Sequence, residues 1–340
     1  MPTFAPISLP APRGPLSAAV VALLRDGTAA AADPAVPDAD PYGDDLHLAL
    51  HLCYELHYHG FAAVDPEREW DIRVLTIRAR LEQRFLDALR RDVTGGADLD
   101  RELAALLSEP AEPTGVGAFL RRDGQWWQLR EYFVHRSIYH LKEADPYAWV
   151  IPRLHGDAKA ALVAVEFDEF GGGHGERVHS RLYADLLDGA GLESGYLHYL
   201  DIVPAPMLAL VNMMSLFGLH RRWRGALVGH FASTEITSSP ASKRMVDTLR
   251  RWDAAPACVR FYAEHVVADA VHEQVMRAVI GDLLRQDPGL LDSVVFGIQA
   301  TELLEGRVAR QLLDHWAAGR SSLREPLPAV DAAAQGSRRP

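Results

Sequence analysis

Two histidines and an aspartate share one face of a single predicted helix in the C-terminal half of this 340-residue chain. His265, Asp269 and His272 are spaced i, i+4 and i+7, and at roughly 100° per residue they fall within about 60° of one another. Small or apolar residues such as Phe261 and Val275 surround them, so the polar side chains are expected to be buried. Because burial without partners is costly, the stripe predicts a metal-binding helix. The alternative is a solvated helix face with two incidental histidines.

A second segment supplies acids and a histidine at compatible spacing. Glu176 and His179 form the i, i+3 pair that helical carboxylate-bridged di-iron sites use, and Glu169 lies two turns earlier if the helix persists. The three glycines Gly171–Gly173 together cost about 2–3 kcal/mol of helix propensity. They could unwind the helix, bend the backbone so that Glu169 reaches a metal, or admit a substrate. Alternatively, both glutamates are surface charges at a helix start.

Glu143 lies in the last turn of a helix predicted from about Trp126 to Ala144. An acid there opposes the helix dipole, and a bound cation would explain its presence. Two divalent iron or manganese ions would balance four acids, namely Glu143, Glu169, Glu176 and Asp269. Three neutral imidazoles would complete the coordination, namely His179, His265 and His272.

The order and spacing of these seven residues resemble the ligand pattern of the haem-oxygenase-like di-iron oxidases and oxygenases. The resemblance covers about residues 45–318, and the nearest likeness is to N-oxygenases of natural-product biosynthesis. It implies an all-α, haem-oxygenase-like helical bundle with an additional N-terminal helical subdomain. It also implies a homodimer and two Fe(II) ions per chain, with manganese as the alternative metal. The implied metal ligands are Glu143, Glu169, Glu176, His179, His265, Asp269 and His272.

Helical periodicity without strand-like alternation independently predicts an all-α fold. We expect an N-terminal helical subdomain over residues 1–115, used in dimerisation, and a di-iron domain over residues 116–318. The tail, 319–340, is expected to be disordered. Helix boundaries are predicted at Glu176, where a helix begins, and at Ser239-Pro240, where a helix ends.

Composition restricts the compartment and the partners. The net charge of −11 argues against nucleic-acid binding, and two cysteines suit a reducing cytosol. No signal peptide is expected, and no uncharged apolar run approaches the roughly 20 residues of a membrane span. The longest run, from Ile202 to about Gly218, contains Pro204 and Pro206 and is predicted to be a buried core helix. We therefore expect a cytoplasmic protein without membrane contacts.

The function predicted from the resemblance is a non-haem di-iron enzyme that uses O2 on a small amino-acid-like substrate. N-oxygenation of an amine or guanidine is favoured, and no catalytic residue beyond the metal ligands is predicted. Without a flavin or NAD fingerprint, electrons must come from a separate donor. Two alternatives remain: oxidative desaturation, C–C cleavage or cyclisation at the same iron site, and a metal-free helical binding protein.

Two other polar groups are candidates of lower rank. His47, His51 and Glu55 are spaced i, i+4 and i+8, which would suit a rival metal stripe, but no partner motif accompanies them. Hydrogen bonds within the protein or at a dimer contact are the expected role of Glu55. Glu235 either lies near the metal or the substrate, or is a helix-end acid before Pro240.

Overall fold

A computed structural model describes residues 7–27, 36–108 and 115–328. In these residues the regular structure is helical and no strand is present, which confirms the predicted all-α class. The α-helices are α1 (Pro15–Asp26), α2 (Asp44–Glu55), α3 (Ile72–Asp92), α4 (Leu99–Leu107), α5 (Gly115–Arg122), α6 (Trp126–His140), α7 (Asp145–Ala148), α8 (Gly156–Glu169), α9 (His179–Gly189), α10 (Ala205–Leu219), α11 (Arg224–Arg251), α12 (Pro256–Gln286) and α13 (Leu291–Ala317). Single 3-10 turns lie at Val36–Asp38, Pro66–Trp70, Ile151–Arg153, Gly171–Gly173, Arg221–Trp223 and Pro288–Leu290.

The hydrophobic core is contiguous from the N-terminal helices to the C-terminal ones. It includes Leu24 on α1 and Leu50 on α2 as well as Phe296 on α13. Nearly every residue of α10 is buried, so the apolar run is a core helix as predicted. The predicted domain boundary between residues 115 and 116 follows the segment 109–114, which lies outside the described residues, and it stays a prediction.

Helix α11 continues through Pro240, so the predicted break at Ser239-Pro240 is wrong. A proline inside a helix costs about 3 kcal/mol because one hydrogen bond is lost and its ring crowds the preceding turn. Here α11 packs along both α12 and α13, and its buried side chains lie on both sides of the proline, among them Ile236 and Met245. This packing offsets the local cost. As a result, Glu235 lies in the middle of a long helix.

The connection between α8 and α9 is a folded turn. Gly171, Gly172 and Gly173 have φ of 74°, 61° and 84°, the left-handed region that favours glycine. A Cβ at Gly171 would lie 2.7 Å from the backbone of Arg177, so the turn folds back on itself. Helix α9 begins at His179, and the predicted start at Glu176 is therefore wrong.

The chain beyond Gly319 is packed at least as far as Leu323, which differs from the predicted disorder of 319–340. Ser322 donates to Oε2 of Glu131 from its backbone nitrogen at 2.9 Å and from its hydroxyl at 2.8 Å. Leu323 is buried. Residues 329–340 lie outside the described residues. None of the described helices combines the length and the apolar character needed to cross a lipid bilayer.

Candidate metal centre

Acids and imidazoles from five parts of the chain meet inside the bundle. Helix α12 contributes its predicted stripe, in which His265, Asp269 and His272 are all buried. Glu169 is the last residue of α8 and His179 the first of α9, so the glycine turn brings both ends to the centre. The other two contributions are Glu143, in the turn after α6, and Glu235, on α11.

These side chains form two groups whose candidate ligand atoms lie within 4.8 Å of one another. We name them site A and site B. Glu169 belongs to both sites, because each of its carboxylate oxygens can serve one group. The members of site A are Glu143, Glu169, His179 and His265. The members of site B are Glu169, Glu235, Asp269 and His272.

In site A each imidazole has a nitrogen near a carboxylate oxygen, but the two atoms do not form a hydrogen bond. Nδ1 of His265 donates to the carbonyl oxygen of Phe261 at 2.8 Å, which leaves Nε2 as the acceptor nitrogen, 3.8 Å from Oε2 of Glu143. That Nε2 has no hydrogen-bond partner among the described residues. Nδ1 of His179 lies 2.7 Å from Oε2 of Glu169, again without hydrogen-bond geometry. A metal-binding histidine is commonly oriented by a hydrogen bond from its other ring nitrogen, and the bond from Nδ1 of His265 to Phe261 is of this kind.

Site B is arranged around the ring of His272. Its Nδ1 lies 3.0 Å from Oε2 of Glu235, 3.6 Å from Oε1 of Glu169 and 3.7 Å from Oδ1 of Asp269. Its Nε2 lies 3.2 Å from Oδ2 of Asp168, an exposed side chain. Neither oxygen of Asp269 has a hydrogen-bond partner in the described part of the chain. A divalent cation would compete with the proton of His272 for these acids.

Burial makes the acids of site B resist ionisation. It is the main reason why the pKa of Glu169 lies well above its ordinary value, and the charges of Glu143 and Asp269 raise it further. Burial, then the charge of Glu235, raises the pKa of Asp269 to about 7. The pKa of Glu235 is also raised to about 7, mainly by burial. Crowded acids of this kind need a positive charge between them, which a metal ion supplies.

Two other groups are held in their charged forms. Burial would raise the pKa of Glu143, but its interaction with His140, whose Nδ1 donates to Oε2 at 3.0 Å, lowers it to about 2. Burial opposes protonation of His272, but its hydrogen bond and ion pair with Glu235 raise its pKa to about 9. In both cases the charge is stabilised by groups inside the centre.

Glu176 is the predicted ligand that the structure does not bring to either site. It lies in the turn before α9, with 73% of its side chain exposed, and its nearest ionic neighbour is Nδ1 of His174 at 3.8 Å. Helix α9 begins at His179, so Glu176 and His179 do not lie on one helix. Their i, i+3 spacing therefore does not place the two side chains on a common helix face. A metal role for Glu176 requires the segment 171–178 to rearrange, and it stays a prediction.

Glu235 is the residue that sequence reasoning did not place in the predicted ligand set. It is buried, and its carboxylate is close to His272 because α11 packs along α12. The signal was an acid flanked by apolar residues, Phe231, Ala232 and Ile236, on a helix expected to face the metal helices. The expected break at Pro240 made a helix-end role equally plausible.

The residues of the rival stripe on α2 make hydrogen bonds within the protein. Nε2 of His51 has no hydrogen-bond partner among the described residues, but these side chains form no candidate metal-binding group there. Nε2 of His47 donates to the carbonyl oxygen of Pro41 at 3.0 Å, and Nδ1 of His51 lies 3.2 Å from Oδ1 of Asn212. Glu55 is paired with Nζ of Lys142 at 3.1 Å. The expected hydrogen-bonded role of Glu55 is thus seen, with a lysine as the partner.

Comparison with known proteins gives two matches. The profile of a family described as iron-containing redox enzymes matches residues 130–306, just over half of the chain, and this region contains all seven predicted ligands. A nitrosourea synthase from Streptomyces achromogenes subsp. streptozoticus is 25% identical over 251 residues. That alignment covers 73% of this chain and 50% of the synthase, so the chain spans about half the length of this curated relative.

Proposed function

The chain belongs to the iron-containing redox enzymes, a family of oxidoreductases with a haem-oxygenase-like helical fold, and we propose that it is a non-haem di-iron enzyme that uses O2. Site A and site B would each hold one Fe(II) ion, with Mn(II) as the alternative. Glu169 would help to hold both ions, because it belongs to both sites. We further propose that the protein acts as a homodimer and receives electrons from a separate donor.

The observation that carries this proposal is the sharing of Glu169 between two buried groups. A carboxylate has one oxygen for each of two ions, and helical di-iron proteins use bridging carboxylates in this way. The four acids of the two sites balance the charge of two divalent ions. Unpartnered donor atoms support the fit, namely Nε2 of His265 and both oxygens of Asp269 in the described part of the chain.

Carboxylates and imidazoles together suit iron that changes oxidation state. Two Fe(II) ions bound here would supply electrons for the reduction of O2. The protein contributes a buried site that excludes water, and it holds Glu143 ionised through the hydrogen bond from His140. Since Nδ1 of His265 is committed to the carbonyl oxygen of Phe261, its Nε2 is the nitrogen left for a metal.

We propose N-oxygenation of an amine or guanidine on a small amino-acid-like substrate as the reaction. The name of the similar synthase supports this choice, because a nitrosourea contains a nitrogen–oxygen bond. In N-hydroxylation, one oxygen atom of O2 is transferred to nitrogen and the other is reduced to water. Two electrons and two protons are consumed, and the separate donor provides the electrons.

Anaerobic Fe(II) titration followed by exposure to O2 tests the proposal. We expect two irons per chain, O2 uptake and a product heavier than its substrate by one oxygen. His265→Ala should lower the iron content and abolish O2 uptake. His230→Gln is the matched control, because His230 is a buried histidine that lies outside both sites, between Tyr147 and Thr301. A folded protein that binds no iron would refute the proposal, and a product that has lost two hydrogens would refute N-oxygenation.

A further inference from the structure

Glu166 is a buried acid that neither metal site uses. It lies on α8 one turn before Glu169, so the two side chains share a helix face. It is 3% exposed, and neither of its carboxylate oxygens has a hydrogen-bond partner among the described residues. Buried carboxylates are normally paired with a cation or hydrogen-bonded.

The electrostatic neighbours of Glu166 are other acids. They are Glu169, Asp145 and Glu235, and together with burial, the largest cause, they raise the pKa of Glu166 to about 9. Asp145 is partly exposed at the start of α7, and Nε2 of His59 lies 4.0 Å from its carboxylate. Two of these acids, Glu169 and Glu235, belong to site B, and Asp145 is the one that reaches the protein surface.

The charge of Glu166 is not balanced by the two metal ions. The acids of sites A and B number four, which two divalent cations neutralise. Glu166 would add a fifth negative charge with no protein cation among its main electrostatic neighbours. A further positive group is therefore needed if this side chain is to be ionised. A substrate that enters beside the metals can provide it.

We propose that Glu166 binds the cationic nitrogen group of the substrate, an ammonium or a guanidinium, and holds it beside the candidate metal centre. This inference rests on the proposed function and names its substrate class. An ammonium or guanidinium donates charge-assisted hydrogen bonds to a carboxylate, and a guanidinium can do so through two parallel N–H groups. Glu166 would then select cationic substrates over neutral ones of the same shape, and Asp145 would favour their entry.

Isothermal titration calorimetry under anaerobic conditions tests this selection. The probes are two matched pairs: L-arginine with L-citrulline, in which a urea replaces the guanidinium, and L-lysine with L-2-aminoheptanoic acid, in which a methyl replaces the side-chain ammonium. We expect Fe(II)-loaded wild-type protein to bind at least one cationic member roughly tenfold or more tightly than its neutral partner. Glu166→Gln should remove this preference. No preference in the wild type, no binding by any probe, or an unchanged preference in Glu166→Gln would each overturn the inference.

A control variant and a stability measurement exclude a general structural effect. Glu302→Gln removes an acid of the same bundle that lies near Ser233, outside sites A and B, and it should keep the preference. Glu166→Gln should melt no lower than wild type, because the carboxylate has no partner to lose. Marked destabilisation by Glu166→Gln would show that the acid is structural and would overturn the inference.

Repeating the titrations without metal separates this inference from the proposed function. If the protein fails to bind iron but prefers cations through Glu166, the proposed function fails and the cation site stands. If two irons bind and no cation preference is found, only the role of Glu166 fails.

Discussion

Nζ of Lys142 lies 3.1 Å from Oε2 of Glu55, and both side chains are fully buried. The hydroxyl of Tyr196 donates to the same carboxylate, at 2.8 Å to Oε1, and the lysine lies over the ring of Tyr58. The residue after this lysine is Glu143 of site A. The ion pair therefore ties α2 to the turn that presents a candidate metal ligand.

We predict that Lys142→Met lowers the free energy of unfolding by about 3–5 kcal/mol, because it leaves Glu55 buried without its cation. Combining it with Glu55→Gln should recover part of this loss, since neither charge then remains unpaired. Urea unfolding of the metal-free protein measures both effects. A loss below about 1 kcal/mol for the single variant would contradict the importance of the pair.

The structure includes Glu235 among the candidate ligands, whereas the sequence pattern predicted Glu176, and iron stoichiometry decides between them. We expect Glu235→Gln to lower the iron content from two per chain toward one, because its carboxylate lies with those of Asp269 and Glu169. Glu176→Gln should retain two irons, because that side chain is exposed and belongs to neither group. Loss of iron in Glu176→Gln would instead mean that residues 171–178 rearrange when iron binds and that Glu176 is a ligand, the role that the family resemblance implies.

The α12 stripe was predictable from the sequence because helix geometry fixes it. Once residues 256–286 form one helix, the spacing of His265, Asp269 and His272 places them together whatever the rest of the fold does. The residues one turn before and one turn after the stripe on the same face, Phe261 and Met276, are apolar and buried, so burial followed from the same pattern. Fold class was predictable for a similar reason, since helical periodicity is a local property of the chain.

The contribution of Glu235 could not be predicted from local pattern. It depends on packing between α11 and α12, and on that packing outweighing the cost of Pro240 inside the helix. Glu176 is the reverse case, because the sequence predicted it as a ligand and the structure does not bring it to either site. The ligand-like spacing to His179 suggested a helix, but the glycine turn places the start of α9 three residues later. Both errors arise where tertiary packing or backbone conformation overrides a residue pattern.

Two buried histidines each destabilise the folded, metal-free protein in mild acid. Burial lowers the pKa of both His47 and His135 to about 3, whereas histidine in an unfolded chain titrates near about 6.5. Below about pH 6.5 the unfolded state therefore binds more protons than the folded state. The contribution of each histidine to the free energy of unfolding should fall as pH falls from there toward 3, by up to about 1.4 kcal/mol per pH unit. Buried acids with raised pKa values, among them Glu235 and Asp269, act in the opposite direction, so the effect of a histidine is measured as a difference between variants.

Urea unfolding of metal-free protein at several values between about pH 7.5 and 5.5 measures this slope. Relative to wild type, the free energy of unfolding of His135→Gln should rise by about 1.4 kcal/mol as pH falls over this range, since a group that destabilises the folded state in acid has been removed. The matched control is His198→Gln, a change at an exposed histidine, which should keep the wild-type slope. Equal slopes for wild type and His135→Gln would show that this buried histidine does not contribute.

Helices α11 and α13 are close enough that a methyl group does not fit between them. A Cβ at Gly297 would collide with the carbonyl oxygen of Ala226, and one at Gly229 would collide with that of Val294. We predict that Gly297→Ala lowers the free energy of unfolding by about 1–3 kcal/mol, because the helices must separate. Gly306→Ala, on the same helix with open space around it, should instead raise it by about 0.5–1 kcal/mol.

Displacement of α11 should also reach the metal centre. Glu235 lies on α11, two turns beyond the contact at Gly229, and a shift of the helix would move its carboxylate relative to His272. We therefore expect Gly297→Ala to weaken Fe(II) binding at one of the two sites, whereas Gly306→Ala retains both. Urea unfolding and Fe(II) titration of the two variants measure these effects. If the two alanine variants were equally stable and bound iron equally, the close approach of α11 and α13 would be refuted as a constraint on the site.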